Sequence, residues 1–342
     1  MPGFWKELKK PFLGLSPMDG VTDAPFRSMV ANYGKPDLIF TEFVSVEGIA
    51  HGNVKGLNAF IYNRIERPIV AQIFGNTPNN FYQAAILLCH LEFDGIDINM
   101  GCPAKNVSSK GSGAALIQTP ELAQQIILHA KKATEDYANG QTMQKAGLPA
   151  EIIDWANKRK KNTKPKHIPV SVKTRIGFNK PVIEDWIPAL LETKPVAISL
   201  HGRTLKQMYT GSANWDEIKK AAQIIKKTKT LVLGNGDVQN KTQALQYAKK
   251  YNVDGVLIGR AAFGNPFVFT DNQSLDLKTR SNLALKHARL FEKLLPENHF
   301  VQMRKHLAWY IKGFEKASET RQKLMQTNNA DDVEKILSEI AI

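Results

Sequence analysis

At 342 residues the chain can hold one large domain and a smaller one, and 43% hydrophobic residues suffice for a substantial core. No apolar run approaches the roughly 18 residues of a membrane span, and the lysine-bearing start, 1–11, lacks a signal-peptide h-region, so neither secretion nor membrane insertion is expected. Two cysteines, Cys89 and Cys102, exclude a disulfide framework and fit a cytoplasmic location, while a net charge of +14 points to a polyanionic partner.

Eight short apolar or β-branched runs alternate with helical segments along the first 260 or so residues: 13–18, 38–40, 69–74, 95–99, 170–173, 197–201, 231–234 and 255–258. Helical signals fill most gaps, notably at 78–91, 120–138, 215–227 and 241–251. Thr77, Thr119 and Asn214 stand where N-caps belong, two of them followed by proline. Cys89 falls inside the first of these helical patterns and reads as core filler. Strand–helix alternation eight times over predicts a (β/α)8 TIM barrel, and about 270 residues is a suitable length for one. A doubly wound open sheet would share the alternation, but polar residues close nearly every strand here, as a barrel rim requires.

Those strand ends carry the candidate chemistry. The first gives Ser16, Pro17, Met18 and Asp19; the third Gln72; the fourth Asn99 and Cys102. Lys173 and Arg175 close the fifth, His201 and Arg203 the sixth, Asn235, Gly236 and Asp237 the seventh, and Gly259 and Arg260 the eighth. The loops after strands 7 and 8 of such barrels often cradle a phosphate, and the glycines here allow close backbone approach while Arg260 adds a charge-assisted contact. A phosphorylated cofactor is therefore expected. For a flavin, Lys173 would stabilise the anionic reduced form and Gln72 would both donate to and accept from the ring's pyrimidine edge.

The central stretch is Asp97-Ile98-Asn99-Met100-Gly101-Cys102-Pro103, a buried strand stopped abruptly by Gly101 and Pro103. Cys102 can supply a proton, a thiolate or a metal ligand, and Asn99 an amide with both donor and acceptor; an inert thiol at a strand end is the other reading. No metal-ligand spacing occurs among the histidines and cysteines.

Two segments concentrate the positive charge. Between Lys145 and Lys166 seven Lys or Arg face two acids, and between Lys278 and Lys323 eleven face four Glu. The first lies in an unusually long connection, 139–166, which includes a short amphipathic helix near 150–155 and the run Lys158-Arg159-Lys160-Lys161. It reads as a solvated loop or an auxiliary RNA contact. After a linker at 271–274 the chain reads as helical to its end, with breaks near 296–298 and 327–330. Leu283, Leu290, Phe291, Leu294 and Leu295 form one apolar helical face, and Leu307, Ile311 and Phe314 another. The stretch 303–310, with Arg304, Lys305, Trp309 and Tyr310, suits base stacking and phosphate contact, or else an amphipathic helix with Trp309 in its core.

Taken together, these pieces resemble the tRNA-dihydrouridine synthases, most closely the bacterial B-type branch. The matching motifs are Ser16–Asp23, Gln72–Gly75, Asp97–Lys105, Gly111–Leu116, Val172–Gly177, His201–Thr204, Gly234–Asp237 and Ile258–Ala261, in family order, with 304–310 resembling the family's C-terminal helical domain. The resemblance implies an FMN-binding barrel over 1–270, a helical tRNA-binding domain over 275–342, and NADPH (or NADH)-driven reduction of the C5=C6 bond of particular uridines in tRNA. Cys102 would protonate C5, Asn99 would bind the uracil, and Pro17, Met18, Asp19, Gln72, Lys173, His201, Asn235, Gly236, Asp237, Gly259 and Arg260 would line the FMN. Lys105, Arg175, Arg203, Arg304 and Lys305 would meet the tRNA. A monomer without metal is expected from the sequence. Ser16 and Asp19 depart from the family, which commonly has Ala there, and 139–166 is longer than its usual connection.

Overall fold

The computed structural model describes residues 3–159, 166–271 and 275–340. Eight parallel strands, β1 (Phe12–Leu15), β2 (Leu38–Ser45), β3 (Ile69–Phe74), β4 (Gly95–Met100), β5 (Val170–Arg175), β6 (Ala197–His201), β7 (Leu231–Asn235) and β8 (Gly255–Ile258), close into a barrel in sequence order. The helices are α1 (Ala24–Tyr33), α2 (Val46–Ala50), α3 (Pro78–His90), α4 (Lys105–Ser108), α5 (Pro120–Ala138), α6 (Ala150–Asn157), α7 (Ile183–Glu192), α8 (Trp215–Ile225), α9 (Lys241–Tyr251), α10 (Leu277–Leu294), α11 (Val301–Tyr310), α12 (Ala317–Leu324) and α13 (Ala330–Ser338).

Strand periodicity sorts the side chains. Leu13, Leu15, Ile96, Ile98, Val172, Ile198, Val232 and Val256 face outward and share one large core with the surrounding helices. Their alternates face the barrel interior in layers. At the N-terminal end Phe12, Leu38, Phe40, Val70, Leu231, Leu233 and Leu257 form an apolar floor. Trp5, from a 3-10 turn over Gly3–Lys6, closes that floor by packing edge-on against Phe12 at 6.0 Å. Above it lie Gln72, Asp97, Ser171 and Ser199, all buried. At the C-terminal rim the strand register sets Asn99 beside Lys173, Arg175 beside His201, and His201 beside Asn235. Polarity thus rises from floor to rim, and the rim is where chemistry can be done.

Several helix starts follow their caps. Asn214 accepts from the amides of Asp216 and Glu217 at the head of α8, as its position predicts. Thr77 and Thr119 do head α3 and α5, yet neither side chain caps an amide; the proline at the first turn makes part of that service unnecessary. Cys89 is buried within α3.

The helices from α10 onward build a second core around Leu283, Phe291, Met303, Leu307, Leu324 and Val333, joined by Met29 from α1. The expectation of Leu307, Ile311 and Phe314 on one helix face is corrected: α11 stops at Tyr310. Arg321 donates to the Ile311 carbonyl (2.9 Å), Arg280 to that of Lys312 (3.0 Å), and Gly313 turns into the left-handed region at φ +83°. Of the predicted linker, 272–274 lies outside the described residues, as do Lys160 and Lys161 of the basic run.

Candidate active site

The barrel rim opens into a cavity of about 740 Å3. Its wall includes Pro17, Met18, Asp19, Asn99, Cys102, Lys173, Arg175, His201, Asn235, Gly236, Asp237, Gly259 and Arg260. Residues scattered over 240 positions of sequence therefore meet in one place, as the strand ends predict. Phe43, Met208, Tyr209 and Phe263 join them without having been singled out in the sequence. Tyr209 is 61% exposed at the mouth, on the loop after β6.

Cys102 follows directly from the end of β4. Asn99 holds the turn: its Oδ1 accepts from the amides of Gly101 (3.0 Å) and Cys102 (2.8 Å). The segment 111–116 backs the same turn, with the Ala114 amide donating to the Cys102 carbonyl (3.1 Å). Gly113 is needed there on two counts. Its φ is +61°, and a Cβ would lie 2.8 Å from the Cys102 carbonyl oxygen and 3.2 Å from the Cys102 Cβ. Burial pushes the half-buried Cys102 thiol above its ordinary value, and nearby Asp19 adds to the effect. The thiol is therefore protonated at neutral pH.

Two expectations about amides need correction. Asn99 cannot present both donor and acceptor to a ligand, because its oxygen is taken by the turn. Gln72 does not line the cavity; it lies fully buried one layer beneath, donating to Asp97 (2.6 Å) and accepting from Asn99 (2.9 Å).

On the neighbouring strand β5, burial brings the Lys173 ammonium down to about 8, with Arg175 adding to the shift. Among the described residues it has no hydrogen-bond partner. His201 is held well below its ordinary value by burial and then by Lys173 and the neighbouring arginines, so it is neutral. At the seventh and eighth strand ends, Asp237 acts as an organiser: its carboxylate bridges Arg203 (2.7 Å) and Arg260 (2.7 Å) and accepts from the Ala213 amide (2.7 Å). Arg260 stays exposed, whereas Gly236, at φ +131°, has no room for a Cβ beside Ala213. Glu42, on β2, is pushed up to about 7 by burial and by Asp23, a signal that no spacing in the sequence announced.

The five expected nucleic-acid contacts divide. Lys105 is exposed beside the cavity, and Lys305 reaches from α11 so close to Gly20 that a Cβ placed there would lie 3.3 Å from its Nζ. Arg304 is committed to the Thr327 carbonyl (2.9 Å) and the Asn328 amide oxygen (3.0 Å). Arg175 and Arg203, each 2% exposed, are corrected to loop-holding residues: Arg175 donates to the carbonyls of Gly101, Thr204 and Met208, and Arg203 to those of Thr210 and Gly211. The aromatics of α11 are likewise used internally. Trp309 stacks on Phe263 at 4.0 Å and 13°, and Tyr310 is buried. Among the described residues no helix is long and apolar enough to cross a membrane, and no group of three or more His, Cys, Asp or Glu could hold a metal.

The family model described as dihydrouridine synthase (Dus) matches residues 14–139 and 143–342. A probable tRNA-dihydrouridine synthase of Staphylococcus aureus (strain MRSA252) is 34% identical over 346 residues, covering 98% of this chain and 95% of its own length. Probable tRNA-dihydrouridine synthase 2 of Bacillus subtilis (strain 168) is 35% identical over 352 residues, covering 98% and 96%.

Proposed function

The chain belongs to the dihydrouridine synthase family of oxidoreductases, and from that premise we propose that it reduces the C5=C6 bond of uridines in tRNA, with FMN as resident cofactor and NADPH or NADH as reductant. The observation that carries the reading is the half-buried Cys102 thiol on the wall of the rim cavity, in a turn held by Asn99 and within the stretch that the family model matches.

The residues fit FMN. The cavity volume suits a cofactor of that size. Among the described residues the Lys173 ammonium has no hydrogen-bond partner, Gly236 leaves its cradle free of a Cβ, and exposed Arg260 would face the phosphate. Pro17, Met18, Asp19, Lys173, His201, Asn235, Gly236, Gly259 and Arg260 would hold the group, with Asp237 and Gln72 supporting from behind. Bound and reduced, FMN supplies the hydride equivalent that uracil C6 receives. Cys102 delivers the accompanying proton to C5, a role open to a thiol that burial keeps protonated. Lys173 contributes positive charge to an electron-rich ligand, and neutral His201 can donate or accept. The uridine must leave the tRNA fold to enter so deep a cavity. Lys105 and Lys305, flanking the mouth, would meet its phosphates. A cytoplasmic, monomeric enzyme accords with this reading.

Expression in cells lacking every dihydrouridine synthase, followed by mass-spectrometric mapping of their tRNA, tests the proposal. Dihydrouridine at defined positions is expected, from a yellow protein. Tyrosine-and-tryptophan absorbance alone, with no flavin and no dihydrouridine, would refute it.

A further inference from the structure

Beneath the rim, Asp97 is fully buried in the barrel interior, two residues before Asn99 on β4. Its Oδ1 accepts from the Ser171 hydroxyl (2.6 Å) and its Oδ2 from the Gln72 amide nitrogen (2.6 Å). The Gln72 oxygen accepts from Asn99 Nδ2 (2.9 Å), and Asn99 Oδ1 accepts from the amides of Gly101 and Cys102. The two ends of this series have fixed polarity: a carboxylate only accepts, and a backbone amide only donates. Each amide side chain between them therefore has one permitted orientation.

We propose that Asp97 is a positioning residue for Cys102, acting through Gln72 and Asn99 to hold the turn that carries the thiol. The inference rests on the proposed function for its purpose, but its physical content concerns the turn alone. Without an acceptor at position 97, the buried Gln72 nitrogen is left unpaired, and Gln72 must shift to find another acceptor. In shifting it withdraws its oxygen from Asn99 Nδ2, and Asn99 loses the contact that holds its own oxygen against the amides of Gly101 and Cys102. A buried polar series transmits such a loss because leaving any member unpaired is costly. An asparagine at position 97 should sustain the series. Its Oδ1 can accept from Gln72 while its Nδ2 donates to Ser171, whose hydroxyl can turn fully to the Ile96 carbonyl, already 3.3 Å away.

The readout is the rate of Cys102 alkylation by iodoacetamide, followed by peptide mass spectrometry in the flavin-loaded protein. Buried Cys89 gives an internal reference. Asp97→Leu should raise the Cys102 rate about tenfold, the scale of one lost buried hydrogen bond. Gln72→Met, which cuts the same series one step later, should do likewise and covers the case of a misfolded Asp97→Leu. Asp97→Asn should stay within about twofold of wild type. Dihydrouridine yield in tRNA should run in the reverse order, lowest in Asp97→Leu and Gln72→Met and near wild type in Asp97→Asn. Wild-type rates in both Asp97→Leu and Gln72→Met would overturn the proposal, and so would an Asp97→Asn rate as fast as that of Asp97→Leu. A wild-type chain that makes no dihydrouridine would sink the reading of function instead, while the alkylation rates still decide this one.

Discussion

In the β3–β5 sector of the barrel interior, Asp97, Gln72 and Asn99 are buried in an unbroken series of hydrogen bonds, while in the core of the C-terminal helices His287 and His306 are buried without one. The two imidazoles lie 4.9 Å apart between centroids, packed against Phe26 of α1. Only His287 Nδ1 has a partner, the Tyr310 hydroxyl at 3.2 Å. Among the described residues, His287 Nε2 and both nitrogens of His306 have none. In the first region burial fixes orientation and so serves the site. In the second the rings behave as apolar fillers that join the helices to the barrel, and burial keeps them neutral, His287 at about 3.

The sharpest way to separate these uses is to remove the group that the paired series supports. Cys102→Ala should lower dihydrouridine formation by about 100-fold or more, the range of a positioned general acid, with no loss of bound flavin or of its reduction by NADPH. The thermal midpoint should barely move, since one half-buried thiol contributes little packing. Single-turnover assays with a tRNA transcript and a melting curve together check it. Unchanged turnover would leave the barrel series without a catalytic purpose.

Much of this is legible in the sequence. β3, β6 and β8 keep their predicted bounds, because buried parallel strands read as short apolar runs ended by glycine or polar residues. The rim residues were legible for the same reason, since each follows a strand. Direction along the chain was not enough to say which way a side chain is spent. Arg175 and Arg203 look like phosphate ligands in sequence, yet carbonyls absorb them, those of the loops after β4 and β6 for Arg175 and of its own loop for Arg203. Gln72 looks like a cofactor contact, but its register opposite Asp97 turns it inward. Trp5 gave no signal, because the cover of a barrel floor has no period. The end of α11 was hidden too: two distant arginines, Arg280 and Arg321, take the carbonyls that would have continued it.

The unpartnered histidines lead to a smaller effect of definite sign. Their folded-state pKa values are depressed below the unfolded value of about 6.5, so the unfolded chain binds more protons below that pH. Stability is therefore fully present above about pH 6.5 and falls as the pH drops toward 3. At pH 5 His287 alone should account for a loss of about 2 kcal/mol. Phe replaces the His306 ring with little change of shape and no nitrogen to protonate. His306→Phe should leave the urea midpoint at pH 7.5 unchanged or raised, and should lessen the drop between pH 6.5 and 5. An unaltered pH slope would mean that these rings are hydrated and not the bare pair described above.

Exposed charge forms a third class, outside both cores, and its contribution should be the weakest and the most sensitive to salt. Lys158 and Arg159 follow α6 at the surface, with Arg159 lying over the Trp155 ring at 4.0 Å and donating to the Trp155 carbonyl (3.1 Å). Arg159 is thus partly anchored, while Lys158 is free to meet a phosphate. Each cation that contacts a phosphate releases counterions, so replacing Lys158, Arg159, Lys160 and Lys161 by Ala should weaken tRNA binding and flatten its dependence on salt by about one unit of slope per lost contact. Melting temperature and flavin content should stay as they are, since surface substitutions of this kind rarely exceed about 0.5 kcal/mol. Filter binding of tRNA across a salt series measures both affinity and slope. If neither changes, the long connection between β4 and β5 is a solvated surface, and the polyanion is held by the cations nearer the cavity mouth, Lys105 and Lys305.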